Sequence, residues 1–264
     1  MKTVASRDNP AYKALAKLAS SAAERRKRGL TVIEGAHLVR ACLDAGHPVA
    51  QLFLTPAAAE AEAALAGRAR AASAVIVELA DPLFAAVSGV ESPTGVIAVV
   101  ATPAGRPVPP GARFCLALED LQDPGNVGTL LRSAAAAGVE HVLLSPTCAF
   151  AWSPKVLRAG QGAHFALNIV EGADLAAFVA GFAGTSVALC GEAKASLHDT
   201  DLRGPLALLV GNEGAGLSPA LERAATVRAR IPMPGRAESL NAGVAGSIAL
   251  FEAVRQREAG RGNR

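Results

Sequence analysis

Residues 114–145, FCLALEDLQDPGNVGTLLRSAAAAGVEHVLLS, decide the fold. The run Phe114–Leu118 is apolar without alternation, the pattern of a strand covered on both faces of a parallel sheet. Pro124-Gly125 then turns the chain, and Asn126 is placed to cap a helix over about 126–137. The run HVLLS follows as a second buried strand. A strand, a helix and another strand of this kind build an α/β layer.

The same alternation extends downstream. Helices are expected at 153–162 and 173–183, and strands at ALNIV, SVALC and LALLVG. A last strand around VRARIPM leads to a long helix from Ser239 to about Glu258. Upstream, SRDNPAYKALAKLASSAAERRKRG reads as one helix over 6–29, opened by Asp8-Asn9-Pro10 and closed by Gly29. Strands LTVIEG, VAQLFLT, AVIVEL and GVIAVVA then alternate with helical stretches, one of them Ala-rich near 57–72. Between the halves, ATPAGRPVPPGAR holds four prolines that exclude helix and disfavour a central strand. The expected organisation is a domain over 1–101, a linker over 102–113 and a second domain over 114–264.

Composition removes several classes of function. The 264 residues are 51% hydrophobic and 19% charged, which excludes a disordered chain. No apolar run approaches the roughly 18 residues that span a bilayer. The start, Met1 to Asp8, lacks the apolar core of a secretion signal, so a cytoplasmic protein is expected. Cys42, Cys115, Cys148 and Cys190 lie far apart with no ligand spacing and read as reduced thiols. No HExxH or paired-ligand pattern points to a metal.

Ligands of open parallel sheets sit outside the carboxyl ends of the strands. Three loops in such positions are unusual. The first runs Leu118 to Arg132 and concentrates Glu119, Asp120, Gln122, Asp123 and Asn126 beside a buried strand end. The second, Leu209-Val210-Gly211-Asn212-Glu213-Gly214-Ala215-Gly216, has glycines that let a ligand approach main-chain amides. It is neither GxGxxG nor a P-loop, and Glu213 disfavours phosphate, so a neutral or cationic ligand suits it. The third, Ile231 to Ala245, is a rigid Pro-rich turn in which Ser239 is a candidate helix cap. Each alone also reads as an ordinary turn or cap.

Taken in order, the three loops resemble the signature motifs of the SpoU (TrmH-type) branch of the SPOUT RNA methyltransferases. NxxxxxR falls on Asn126 and Arg132, a GxExxG-like motif on the second loop, and SLN on Ser239, Leu240 and Asn241. The opening SRDNPAYKALAKL, the IEG at Glu34 and SPTGVIAVV at 92–100 are similar to the family's small ribosomal-protein-like substrate-binding domain. The resemblance implies methyl transfer from S-adenosylmethionine to a ribose 2′-hydroxyl of RNA. It also implies a trefoil-knotted parallel sheet in the C-terminal domain and a homodimer. Carried over by position, Asn126, Arg132, Glu213, Ser239 and Asn241 become the catalytic set. Gly191, Gly211, Ile231 and Leu240 become the cofactor set.

A guanidinium does not accept a proton near neutral pH, so Arg132 is read as a clamp that orients the ribose and stabilises oxyanion character. The basic run Arg25, Arg26, Lys27 and Arg28 is the candidate RNA contact, although such runs also occur at solvated helix ends. Few aromatics are present, so recognition by backbone charge is expected over base stacking. Ribosomal RNA is the expected target, with transfer RNA as the alternative. A catalytically silent RNA-binding homologue and a nucleotide-dependent oxidoreductase are the competing classes. The latter lacks the dinucleotide fingerprint.

Overall fold

Capping chemistry sets where the helices begin and end. The computed structural model describes residues 3–261, and the chain divides into two compact units.

The first unit comprises residues up to Pro103 together with Trp152–Phe165. After β1 (Thr3–Val4), Asn9 caps α1 (Pro10–Ser20) by accepting from the amides of Ala11 and Tyr12. The single helix expected over 6–29 is two helices. Ser21 takes an extended conformation, ends α1 and caps α2 (Ala22–Arg28), while Gly29 closes α2 at φ 60°. Then follow β2 (Leu30–Glu34), α3 (Ala36–Asp44), β3 (Val49–Leu54), α4 (Pro56–Ala61), α5 (Ala63–Ala71), β4 (Val75–Leu79), α6 (Asp81–Ala85) and β5 (Val96–Ala101). The sheet order is β1-β4-β3-β5-β2, with β5 antiparallel to both neighbours and the other pairs parallel. Tyr12, Leu15 and Leu18 of α1 pack with Val32, Phe53, Leu79, Phe84 and Ile97 in one core.

The second unit comprises Ala104–Ala151 and Ala166 onward. Its elements, with one helix that belongs to the first unit, are β6 (Phe114–Leu118), α7 (Pro124–Ala137), β7 (His141–Leu144), α8 (Pro154–Gly160), β8 (Asn168–Val170), α9 (Leu175–Gly181), β9 (Thr185–Leu189), β10 (Ala195–Ser196), β11 (Leu206–Val210), α10 (Pro219–Ala224), β12 (Val227–Arg230) and α11 (Ala242–Arg261). The helix assigned to the first unit is α8. Seven parallel strands run in the order β10-β12-β9-β11-β6-β7-β8. Every residue of β6 and β11 is buried, as their unbroken apolar sequence requires.

Leu175 and Val179 of α9 and Leu221 of α10 cover one face with Ala117, Ala188, Ala207 and Leu209. On α11, Gly246 admits Leu130 of α7 and Val210 of β11, whose side chains crowd the point where a Cβ would stand. The Pro-rich segment expected as a linker is held against the edge strand β8. Asn168 accepts from the Arg106 amide at 2.8 Å and donates to its carbonyl at 2.9 Å. The final strand ends at Arg230, before Pro232, and the last helix continues to Arg261, beyond the expected end. Residues 262–264 of the Arg- and Gly-rich tail lie outside the described residues.

Candidate active site

Four loops leave the carboxyl ends of β6, β9, β11 and β12. Residues of three of them, after β9, β11 and β12, line a cleft of about 670 Å³. Gly191, Gly211, Ile231 and Leu240 all line it, as do Glu213 and Ser239. The loop after β6 reaches the same place through a side-chain bond. Asp123, not Asn126, caps α7, because Pro124 occupies the first helical position and the Asn126 amide donates to Asp123 Oδ1 at 2.8 Å. Asn126 is thereby placed inside the first turn, buried, with its carboxamide free for a partner outside the helix. That partner is Glu213. Asn126 Nδ2 donates to Glu213 Oε1 at 2.9 Å, and the Asp123 amide donates to the same oxygen at 3.3 Å.

Asn241 joins them from the third loop. It caps α11, a role expected of Ser239: its Oδ1 accepts from the Val244 amide at 3.1 Å and its carbonyl from Ala245 at 2.8 Å. The absent Cβ of Gly243 marks the point of convergence, 3.1 Å from Asn241 Oδ1 and 3.2 Å from Asn126 Oδ1. Arg132 stands apart. It is exposed on α7 and makes no hydrogen bond or ion pair among the described residues. Thr129, exposed and one turn before Arg132 on α7, has its Cγ2 3.4 Å from the same Gly243 point.

The sequence analysis places Glu119, Asp120 and Asn212 in these loops but gives them no role, and they are what hold the loops. Asn212 is a bracket: its Nδ2 donates to the Asp120 carbonyl at 2.8 Å, and its Oδ1 accepts from Gly214 and Ala215 amides at 2.9 and 3.0 Å. Asp120 itself sits at φ 54°, a left-handed backbone uncommon outside glycine, and its amide donates to Ser145 Oγ. Glu119 accepts from the amide and hydroxyl of Ser218, both at 2.7 Å, fixing the far end of the second loop. The Asx pattern of Asn212 followed by Gly214 is the signal that could have revealed the bracket.

The cleft is rich in carboxylates: Glu192, Glu213, Glu222 and Glu238 line it against one cation, Arg228, which pairs with Glu222 at 3.5 Å. Such a lining favours a cationic ligand. Cys190 lies in the wall, and burial together with the Glu222 carboxylate pushes its thiol up to about 12. It is therefore a neutral surface at physiological pH. Among the described residues, no group of three or more His, Cys, Asp or Glu is placed to hold a metal ion.

The basic run divides. Arg26, Lys27 and Arg28 are exposed at the end of α2, but Arg25 is buried and turns inward. Its Nη1 donates to the carbonyls of Leu18 and Ala19 at 2.6 and 3.2 Å, at the open end of α1. Arg25 is thus removed from the RNA-contact set: it supplies the donors that the last carbonyls of α1 lack.

Comparisons with known proteins show the family. A family model described as the SpoU rRNA methylase family matches residues 113–251, and one described as the MRM3-like substrate binding domain matches residues 9–98. An uncharacterized tRNA/rRNA methyltransferase of Synechocystis sp. is 33% identical over 97% of this chain and 94% of its own. The 23S rRNA (guanosine(2553)-2′-O)-methyltransferase of Bacillus subtilis is 32% identical over 95% of this chain and 98% of its own. The crystal structure of an AdoMet-bound rRNA methyltransferase from Sinorhizobium meliloti superposes with a TM-score of 0.85 at 31% identity, covering 96% of this chain and 97% of that one. No described helix is long and apolar enough to cross a membrane. With one family model spanning more than half its length and relatives aligned nearly end to end, the chain belongs to the SpoU rRNA methylase family.

Proposed function

We propose that the protein transfers a methyl group from S-adenosylmethionine to a ribose 2′-hydroxyl of ribosomal RNA. The observation that carries this is the Asn126–Glu213 bond, which joins loops 87 residues apart beside a carboxylate-lined cleft. The names of the Bacillus subtilis and Sinorhizobium meliloti relatives support the substrate and the donor. The cleft fits that donor. Its volume lies in the range of cofactor sites, its carboxylates suit a sulfonium, and nothing stands within 4 Å of where a side chain at Gly191 would be.

When bound, S-adenosylmethionine supplies a methyl group that is already electrophilic. The protein's own task is orientation. Main-chain groups at Gly191, Gly211, Ile231 and Leu240 hold the cofactor's adenosine. Glu213 fixes the Asn126 carboxamide, and Asn126 with Asn241 and Ser239 forms the wall against which the ribose is set. Arg132, exposed and unpaired, clamps the adjoining phosphate and stabilises negative charge growing on the 2′-oxygen. A guanidinium remains protonated throughout.

Residues 1–101 serve as the RNA substrate-binding domain and 114–264 as the methyltransferase domain, with Arg26, Lys27 and Arg28 on RNA phosphates. β11 stands between β6 and β9 although it follows β10 in the chain, an order compatible with a trefoil knot. Val244 and Phe251, seven residues apart on α11 and about half exposed, supply an apolar face for a second copy, with sedimentation as the check. The protein acts in the cytoplasm.

Calorimetry with S-adenosylmethionine, with NAD as the control, tests the donor. Ribose-methylation mapping of RNA from cells lacking the protein tests the target, with one 23S position expected to lose its mark. A mark lost from transfer RNA instead would move the target, and absence of donor binding would overturn the proposal.

A further inference from the structure

We infer that the β10–β12 edge of the seven-stranded sheet is a seat for the RNA backbone, formed by Arg228, Arg230 and Lys194. This rests on the proposed methyl transfer to RNA. In the register, Arg228 stands opposite Ala188, a residue of the core covered by α9 and α10, and Ser196 stands opposite Arg230. Strand alternation then puts Arg228, Arg230 and Ser196 on one face and the buried Ala229 on the other. Both arginines are exposed and about 6.6 Å apart along the strand, with Glu222 of α10 reaching only Arg228. Lys194, also exposed, immediately precedes β10.

Charged residues at a sheet edge often only guard it against pairing with another chain. That accounts for a lysine beside β10 and for Arg228, which pairs only with Ala188 of β9, but not for Arg230, whose outer neighbour is Ser196 of β10. Nor are they consumed internally. Arg228 meets Glu222 at 3.5 Å, while Arg230 and Lys194 make no hydrogen bond or ion pair among the described residues. Glu222, the partner of Arg228, and Glu192, two residues before Lys194 in the chain, both line the cleft. Arg228 lines it as well, so the row of cations begins at the cleft and continues outward at the carboxyl ends of the strands, where a substrate enters. No Phe, Tyr or Trp occurs between residues 185 and 236, which leaves no platform for base stacking. The chemistry that matches is a run of phosphodiesters, gripped by guanidinium forks without regard to sequence.

The experiment is the double charge reversal K194E/R230E, which spares Arg228 and every residue placed in the catalytic set. An unmodified 23S rRNA transcript is titrated at several salt concentrations. Expected are at least a tenfold loss of RNA affinity and a fall of about 1.4–1.8 in the slope of log K against log salt, for two phosphate contacts. S-adenosylmethionine affinity by calorimetry should be unchanged, and K194Q/R230Q should show a smaller loss in the same direction. Unchanged RNA affinity and slope would overturn the assignment, as would loss of donor binding in both variants. Because the readout is binding, a wild-type protein that binds the transcript but methylates no ribose would sink the proposed function and leave this test intact.

Discussion

Arg25 and Arg132 carry the same side chain to opposite ends. Arg25 is spent inside the first unit on two carbonyls of α1, whereas Arg132 is held out to solvent on α7. Replacing Arg25 with Ala should lower stability by about 1–3 kcal/mol in urea unfolding, because two charge-assisted bonds are lost, and should leave RNA affinity unchanged. Reversing Arg26, Lys27 and Arg28 together should act chiefly on RNA, weakening binding and flattening its salt dependence, with a smaller loss of stability from the end of α2 and the Glu24–Arg28 pair. Arg132→Lys keeps the charge but not the planar fork, so single-turnover methylation should fall about 10²-fold with donor affinity intact; near-normal turnover would remove the clamp role. Asn126→Asp would face Glu213 with a second carboxylate. Activity should be lost at pH 8 and partly recover as pH falls and one of the two acids regains a donor proton. The motifs singled out Asn126, Glu213 and Asn241, and the structure brings the three together. Their roles were less legible: two cap candidates stand within three residues at each helix start, and the choice depends on which residue begins the helical dihedrals.

At the scale of elements, the parallel strands were legible because β6, β11 and the Val142–Leu144 part of β7 are uninterrupted apolar runs. The helices were legible in place but not in continuity. Ser21 splits the first helix, since a serine between two alanine-rich stretches is equally compatible with helix interior and with a cap. Near residue 62 the Ala-rich helix likewise divides into α4 and α5. The last helix carries a pH-sensitive support. Glu252 is buried on α11; hydrogen bonds from Arg255 first, then from Gln256, with the positive charge of Arg255 and His198, outweigh desolvation and hold its carboxyl down at about 2. A carboxyl depressed in the folded state stabilises it above the ordinary carboxylate range, and that contribution is lost as pH falls from about 4.5 toward 2. Glu252→Gln should therefore lower stability at pH 7 by on the order of 1–3 kcal/mol and flatten the acid limb of the stability curve, the difference from wild type vanishing toward pH 2. An acid limb identical to wild type would show that Arg255 contributes nothing there.

For the whole molecule, the first unit breaks off at Pro103, inside the Pro-rich segment, and nothing in the sequence signals that Trp152–Phe165 belongs with it. Periodicity reports whether a segment is buried, not which core receives it. The physical ties are specific. Gln161 offers its carbonyl to His37 Nε2 at 3.1 Å, Arg158 donates to the Gly89 carbonyl at 3.1 Å, and Phe165 stacks on His47 with ring centres 5.4 Å apart. A fragment ending near residue 110 should consequently bind a hydrophobic dye and unfold at lower urea than the same fragment supplied with a peptide covering residues 150–167. Equal midpoints would show those contacts to be dispensable.

The same interruption has a bearing on birth of the chain. Between Pro103 and Trp152 the ribosome must add the 48 residues Ala104–Ala151, roughly 2–10 s of translation. During that interval β2 waits without α8, the helix that packs on it in the finished protein. The amino-terminal portion is first made and yet not first completed. Nascent chains halted at increasing lengths should turn protease-resistant in that portion only once Phe165 has cleared the exit port.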